Sequence, residues 1–415
     1  MKRIYFLILT VLLLQTMTTF AAEPEIKAES AIVMDASHNI LLYEKNTTQQ
    51  IQPGSLTKIM TAIITIEQAE NLNTPITADA GVIAGYDFSF GNMGVLAGET
   101  LTTKDLLYGM MVYNAGEAAE VLAHSLTDSY DTFLNLMNQK AAELGAASTH
   151  FTNASGYYDP EQVTTVSDLA RISAYAMQNQ TFKDIVSTKQ YEIPANSHYK
   201  QTRHLPNTNQ MLLSTSYYYP AVNGIKTSYM KDFGYSLSIS AQKGDTKLIC
   251  IVANSPVSES NSAYADAKTL LNHGFENFST VRLISKGDII DEIAVPNGKG
   301  VSHVLLAAAN HLDVGLPKGY QPEELNRLIS KNTNVSAPIK AGQTLGSLSV
   351  SYQGNEMASV DLCAYQAIDI DYSKDILNKC KWVATSPFLW IPILGFLLFF
   401  IIRMIVINYQ TTFRS

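Results

Sequence analysis

Gly234-Tyr-Ser-Leu-Ser-Ile-Ser-Ala-Gln-Lys-Gly-Asp-Thr-Lys-Leu-Ile-Cys-Ile-Val-Ala-Asn254 decides the fold class of this chain. Two runs, 234–242 and 247–254, flank the polar tetrad Lys243-Gly-Asp-Thr246, and so short a connection joins only antiparallel neighbours. Cys250 lies inside the apolar run Leu248-Ile-Cys-Ile-Val252 and reads as core filler. Working outward, 32–34 and 40–43, joined by Asp35-Ala-Ser-His-Asn39, read as a second hairpin. Residues 55–68, 103–126, 130–144 and 167–178 carry helical patterning. The layout from 30 to 275 is therefore α+β, helices packed on an antiparallel sheet.

Beyond 275 the texture changes to short apolar runs separated by glycines. Lys286-Gly287 and Ala341-Gly342 are followed at equal offsets by Ile290, Ile293 and Val295, or by Leu345, Leu348 and Val350. This weak repeat predicts two similar β-hairpins in a small β-sandwich over roughly 281–368. The 415 residues are 46% hydrophobic and 16% charged, too apolar for a disordered chain and long enough for more than one core. A net charge of -8 argues against a nucleic-acid partner, which would select Lys and Arg. Three cysteines are too few for a disulfide scaffold.

The two ends concern the compartment. Lys2 and Arg3 precede an apolar stretch closed by Thr19-Phe20-Ala21, the pattern of a cleaved secretory signal over 1–21. Residues 387–407 are apolar except for Arg403 and reach about 30 Å at ~1.5 Å per residue, a single bilayer span. Trp382 and Trp390 stand at its entry and Tyr409 and Phe413 at its exit, as interfacial aromatic belts require. With the signal removed, everything up to about 386 is expected outside. The expected order is a catalytic domain over 22–276, a β-rich domain over 277–370, a stalk over 371–386, the span, and a cytoplasmic tail over 408–415.

The sharpest chemical signal is Pro53-Gly-Ser-Leu-Thr-Lys-Ile-Met-Thr-Ala62. A serine opening a helix with a lysine three residues on puts hydroxyl and amine on one face. Ser55 is then a candidate nucleophile and Lys58 its base, provided that burial or a second cation lowers the lysine pKa. Taken alone, Ser-x-x-Lys is more often an N-cap serine followed by a solvated lysine. A second piece is Asn223-Gly-Ile-Lys-Thr-Ser-Tyr229, just before the strand pair. Lys226 offers charge and Thr227 a hydroxyl to a carboxylate, and an edge strand offers backbone groups to an extended peptide. Lys226 is also a candidate second cation for Lys58. By itself this piece is weak and is more often a solvated edge lysine. The histidines show no metal-ligand spacing, and Tyr217-Tyr-Tyr219 reads as surface packing or a cleft rim.

In this order the pieces resemble the low-molecular-mass penicillin-binding proteins, specifically the serine-type D-alanyl-D-alanine carboxypeptidases. The resemblance also takes in Leu106-Leu-Tyr-Gly-Met-Met111, His150-Phe-Thr-Asn-Ala-Ser-Gly156, Thr164-Thr-Val-Ser-Asp-Leu-Ala170 and Ile185-Val-Ser-Thr188. It implies a penicillin-binding, serine β-lactamase-like transpeptidase domain, then a small β-sandwich and a transmembrane helix. It further implies an acyl-enzyme on Ser55, with a peptidoglycan stem peptide as substrate, β-lactam antibiotics as trapping ligands, and no cofactor or metal. Lys58 would take the proton, the N–H groups of Ser55 and Tyr229 would hold the oxyanion, and Lys226, Thr227 and Ser228 would line the carboxylate site.

The family's middle motif, Ser-x-Asn, falls on Tyr113-Asn-Ala-Gly-Glu-Ala118. Asn114 stands at the catalytic serine position and Gly116 at the substrate-binding asparagine position. Asn114 is a poor proton relay and Gly116 offers only backbone. In the third motif Ser228 replaces glycine and is expected to crowd the strand. Ala263 falls where many relatives carry an arginine for the substrate carboxylate. The alternatives are a carboxypeptidase with a variant site, a weak or inactive homologue that binds wall peptide or partner proteins, and a secreted β-lactamase. The last needs a deacylating carboxylate, for which Glu117 and Glu120 are the nearest acids; both are expected to face solvent.

Overall fold

All six residues of Ser30–Asp35 are buried, which a strand achieves only when both of its faces are covered. Ile32 and Met34 belong to one apolar cluster and Ala31 and Val33 to another, the two-residue alternation of a pleated strand. The expected run Leu248-Ile-Cys-Ile-Val252 behaves likewise: Ile249 and Ile251 face the first cluster, and Leu248, Cys250 and Val252 the second. The computed structural model describes residues 23–37, 40–256, 262–352, 354–373, 376, 381 and 386–412. The expected signal at 1–21 lies outside the described residues.

By contacts within the chain, one unit extends to Thr280 and includes Gly315–Tyr320; the other takes in Val281–Val314 and continues from Gln321. In the first, β1 (Ser30–Asp35), β2 (Ile40–Lys45), β3 (Val222–Met230), β4 (Gly234–Lys243) and β5 (Thr246–Ser255) form one sheet in the order β2-β1-β5-β4-β3. The pairings are antiparallel, and Lys243 faces Thr246 across a two-residue turn whose Gly244 is left-handed. That is the hairpin read from the tetrad. The strand β3 lies at the sheet edge.

One face of the sheet packs against α1 (Lys58–Gln68), α2 (Thr103–Val112), α3 (Gly116–Ser125), α4 (Tyr130–Glu143) and α5 (Val166–Ala176), through the cluster that includes Ile59, Leu106, Leu122, Phe133 and Leu169. The other face packs against α6 (Ser262–Asn277) through Ala263, Ala267, Leu270 and Leu271. Every residue from Lys58 to Thr65 is buried, so α1 is a core helix covered all round rather than an amphipathic surface helix. That covering takes Lys58 out of water.

The patterning over 103–126 predicts one helix, and the structure contains two. The helix α2 starts on a reciprocal cap between Thr102 and Asp105 and stops at Asn114, whose φ is +74°. An asparagine tolerates that left-handed conformation better than most residues. In an unbroken helix the N–H of Ala115 would pair with the Met111 carbonyl and that of Gly116 with Val112. Instead Ala115 donates to Gly109 and Gly116 to Gly91. The carbonyls of Met111 and Val112 are thereby released to other partners.

In the second unit β6 (Ile289–Ala294), β7 (His303–Ala308), β8 (Leu325–Lys331), β9 (Thr344–Tyr352) and β10 (Asn355–Ala364) form a sheet in the order β6-β7-β10-β9-β8. Ile284 and Leu312, from a separate two-stranded pair, share its core with Val304, Leu306, Leu348 and Leu362. The glycine repeat is physical. Gly287 and Gly342 are both left-handed; their N–H groups donate to Ala308 and Ala364, and those alanines donate back to Asp288 and Gln343. Each glycine turns the chain into a hairpin in the same way. The helix α7 (Pro387–Thr412) contains the 19-residue apolar stretch Trp390–Asn408, long and apolar enough to cross a membrane and unburied in the structure.

Candidate active site

Ser55 lies in a 3-10 turn, Gly54–Thr57, that runs directly into α1. The spacing predicts a helix from Ser55, whereas the regular α-helix begins at Lys58. Gly54 is required there. Its φ is +51°, and a Cβ would stand 2.5 Å from the Ser228 hydroxyl and 2.7 Å from the Met230 sulfur. Gly156 is equally constrained, since a Cβ on it would meet the Gly54 carbonyl at 1.9 Å. These two glycines bring the 150–156 segment and β3 against the turn that carries the hydroxyl.

The Lys58 amine donates to Ser55 Oγ at 3.3 Å and to the Ser155 carbonyl at 2.5 Å. The Phe90 ring covers it with its centroid 5.1 Å away. Both reactive side chains are buried. Burial lowers Lys58 from the ordinary lysine value to about 7, against the opposing pull of the Glu120 and Glu117 carboxylates. A neutral amine has a free electron pair, so Lys58 can take the Ser55 proton near neutrality. The alternative of a solvated lysine after an N-cap serine is not what the structure contains.

Lys226, Thr227 and Ser228 sit on the edge strand β3, next to a distorted stretch. Gly224 and Ile225 have φ of +121° and +113°, and for a β-branched residue such as Ile225 this is strained backbone. Lys226 is also buried and donates to the Met111 carbonyl at 3.2 Å. That acceptor exists because α2 breaks at Asn114. Burial first, and repulsion by Lys58 second, hold Lys226 well below the ordinary lysine range. Burial is the first cause of both lowerings, and the mutual repulsion of the two amines adds to it, as expected of a second cation beside Lys58. The Thr227 hydroxyl pairs with that of Thr208 at 2.9 Å.

The middle motif is built differently from its family pattern, and the reason is spatial. A Cβ on Gly116 would stand 2.1 Å from the Tyr86 hydroxyl and 3.2 Å from the Phe90 ring. Two aromatic side chains fill the space that an asparagine would need. The backbone N–H of Gly116 already bonds the Gly91 carbonyl. Asn114 keeps a buried Oδ1 with no hydrogen-bond partner among the described residues.

The segment carrying Tyr86 and Phe90 is fastened from below. Glu117 Oε1 accepts the N–H groups of Met93, Gly94 and Val95 at 2.7, 2.9 and 3.3 Å. Arg203 donates to the carbonyls of Met93 and Gly94 and pairs in two-pronged fashion with buried Glu99. Burial alone would raise Glu99, but its bonds from Arg203, Asn196 and the Leu96 amide leave its carboxyl below the usual range. Burial raises Glu117 despite its amide donors. The expectation that Glu117 and Glu120 face solvent is overturned: Glu117 is fully buried, and half-buried Glu120 accepts the Ser155 N–H at 3.1 Å.

Ser155, Phe90, Tyr86 and Arg203 have no site signal of their own in the sequence. His150–Gly156 carried only a family resemblance, and no spacing ties its carbonyl to an amine almost a hundred residues earlier. Ala263 is fully buried within the α6 core, so no cation reaches the site from that position. Tyr219 is buried and bonds Asn272, while Tyr217 stacks on Tyr264. Both pack on α6.

The D-alanyl-D-alanine carboxypeptidase model of peptidase family S11 matches residues 17–257, and the model of the C-terminal domain of penicillin-binding protein 5 matches 278–369. The chain is 26% identical over 340 residues to the D-alanyl-D-alanine carboxypeptidase DacF of Bacillus subtilis, covering 81% of this chain and 85% of that one. To DacA of Haemophilus influenzae it is 29% identical, covering 82% and 84%. Among solved structures, penicillin-binding protein 5 from Haemophilus influenzae superposes with a TM-score of 0.70 at 26% identity, over 83% of this chain and 98% of that one. The D-alanyl-D-alanine carboxypeptidase from Mycobacterium tuberculosis gives a TM-score of 0.55 at 27% identity, over 62% and 94%. A buried Ser-x-x-Lys pair facing a Lys-Thr-Ser edge strand, a matching first unit and a matching β-rich second one lead to one conclusion: the chain belongs to the S11 family of D-alanyl-D-alanine carboxypeptidases.

Proposed function

We propose that this chain, a serine-type D-alanyl-D-alanine carboxypeptidase by family, removes the terminal D-alanine of peptidoglycan stem pentapeptides through an acyl-enzyme on Ser55. The observation that carries this reading is the Ser55 hydroxyl 3.3 Å from a wholly buried Lys58 amine whose pKa is lowered to about 7. Neutral Lys58 takes the hydroxyl proton as Ser55 Oγ attacks the carbonyl of the penultimate residue. The N–H groups of Ser55 and Tyr229 hold the oxyanion, and D-alanine leaves with the proton returned to its amine. Lys226 and Thr227 receive the terminal carboxylate. An arriving carboxylate is the counter-charge that raises the buried Lys226 amine toward its protonated form. The buried Oδ1 of Asn114 is an acceptor for a substrate N–H. Water then releases the shortened peptide, whereas a β-lactam leaves a longer-lived adduct on the same oxygen. The helix α7 anchors the chain in the membrane with the catalytic unit outside.

A second reading, a homologue that binds wall peptide or partner proteins with little turnover, draws on the altered middle motif, where Asn114 replaces a relaying hydroxyl. The two readings part in one assay. The full chain in detergent, given a stem pentapeptide, releases D-alanine, and Ser55→Ala abolishes release. Labelling by penicillin without D-alanine release favours the second reading.

A further inference from the structure

The Ser228 hydroxyl accepts the N–H of Ser55 at 2.9 Å. Both residues are buried, Ser55 at 2% and Ser228 at 5% exposure, so water does not substitute for this bond. The backbone approaches closely here: a Cβ on Gly54 would lie 2.5 Å from the same hydroxyl and 2.7 Å from the Met230 sulfur. The Ser55 N–H is one of the two donors that the acyl-enzyme reading assigns to the oxyanion. A backbone N–H carries a single proton, and one proton serves two oxygens only with both bonds lengthened and bent. The substrate oxygen and the Ser228 hydroxyl therefore compete for one donor. A glycine at this position has no such atom to offer.

We propose that the Ser228 hydroxyl is an internal stopper of the oxyanion donor, so that acylation proceeds from the minor population in which this side chain has rotated away from Ser55. The proposal rests on the acyl-enzyme reading of Ser55. Its physical content is a population cost. An intramolecular hydrogen bond between neutral groups, once broken, leaves the competent rotamer at roughly a third to a tenth of the molecules. Every acylating ligand bears that cost equally before its own contacts count. The site is thus slowed at the donor rather than at the base.

The test is the second-order rate of labelling of the full-length protein in detergent by a fluorescent penicillin, with Ser228→Ala, Ser228→Gly and Ser55→Ala measured beside the parent. Ser228→Ala keeps the Cβ and removes only the competing oxygen. Acylation about 3- to 10-fold faster in Ser228→Ala, and at least as fast in Ser228→Gly, is the expected result, with a lowered melting transition because the buried Ser55 N–H loses its acceptor. Rates equal to or below the parent in both variants overturn the stopper, as does a gain confined to Ser228→Gly, which would assign the effect to the bulk of the Cβ. Failure of the underlying reading is distinct: labelling would then survive in Ser55→Ala.

Discussion

At the scale of single residues the chemistry turns on an amine without its proton. Below about pH 7 Lys58 is progressively protonated and unable to accept from Ser55. Acylation by penicillin is therefore expected to fall about tenfold per pH unit below that value and to level off above it; a stopped-flow profile reads this directly. The same lowering has a thermodynamic sign. Lys58 holds its proton more weakly folded than unfolded, so the unfolded chain binds more protons between about 7 and the ordinary 10.5, and stability rises with pH across that window. Lys58→Met removes the burial penalty. It is expected to abolish acylation while raising folding stability at pH 7 by about 1–3 kcal/mol, less whatever the orphaned Ser155 carbonyl costs. Thermal unfolding of the two proteins at pH 7 and pH 9 checks it, with a smaller difference at the higher pH. Restoring the family's asparagine is expected to fail: in Gly116→Asn the new Cβ collides with Tyr86, and D-alanine release falls instead of rising.

At the scale of elements, the site depends on a helix that ends early and on a segment held down behind it. The break after α2 gives Lys226 its acceptor at Met111 and gives Thr208, whose hydroxyl meets Thr227, its backbone anchor at Val112. Arg203 and Glu99 hold the segment that lays Phe90 over Lys58. Arg203→Met leaves Glu99 buried without its counter-charge, a loss of about 3–5 kcal/mol. With Phe90 loosened, the inflection of the acylation profile is expected to move upward toward an ordinary lysine; an unmoved inflection in a destabilised protein would confine Arg203 to a structural role. The sequence displayed the parts of this arrangement whose signal is local. Ser55 and Lys58 share a helix face by spacing, and the turn at Lys243–Thr246 fixes its own hairpin. The break at Asn114 was missed because apolar periodicity continues through it, and a left-handed asparagine leaves that period intact. Glu117 was misplaced because its partners, three backbone N–H groups, have no sequence signature.

At the scale of the whole molecule, the two units and the terminal apolar helix follow from composition more readily than the site does. Alternation and glycine spacing announced a sheet with helices and a second β-rich unit, and the matching bonds of Gly287 and Gly342 give that repeat a physical cause. The Trp390–Asn408 stretch makes a separate forecast. The full chain is expected to stay with membranes through carbonate washing, while a chain ending before Pro387 is released and keeps D-alanine release; a truncated chain still held by membranes would assign attachment elsewhere. On the proposed acyl-enzyme reading, activity nevertheless turns on the state of one amine inside α1. The most direct test is an NMR titration of ¹³Cε-lysine in the full-length protein, with the Lys58 resonance assigned by its loss in Lys58→Arg. The account requires an inflection close to 7, and an inflection near 10.5 would contradict it.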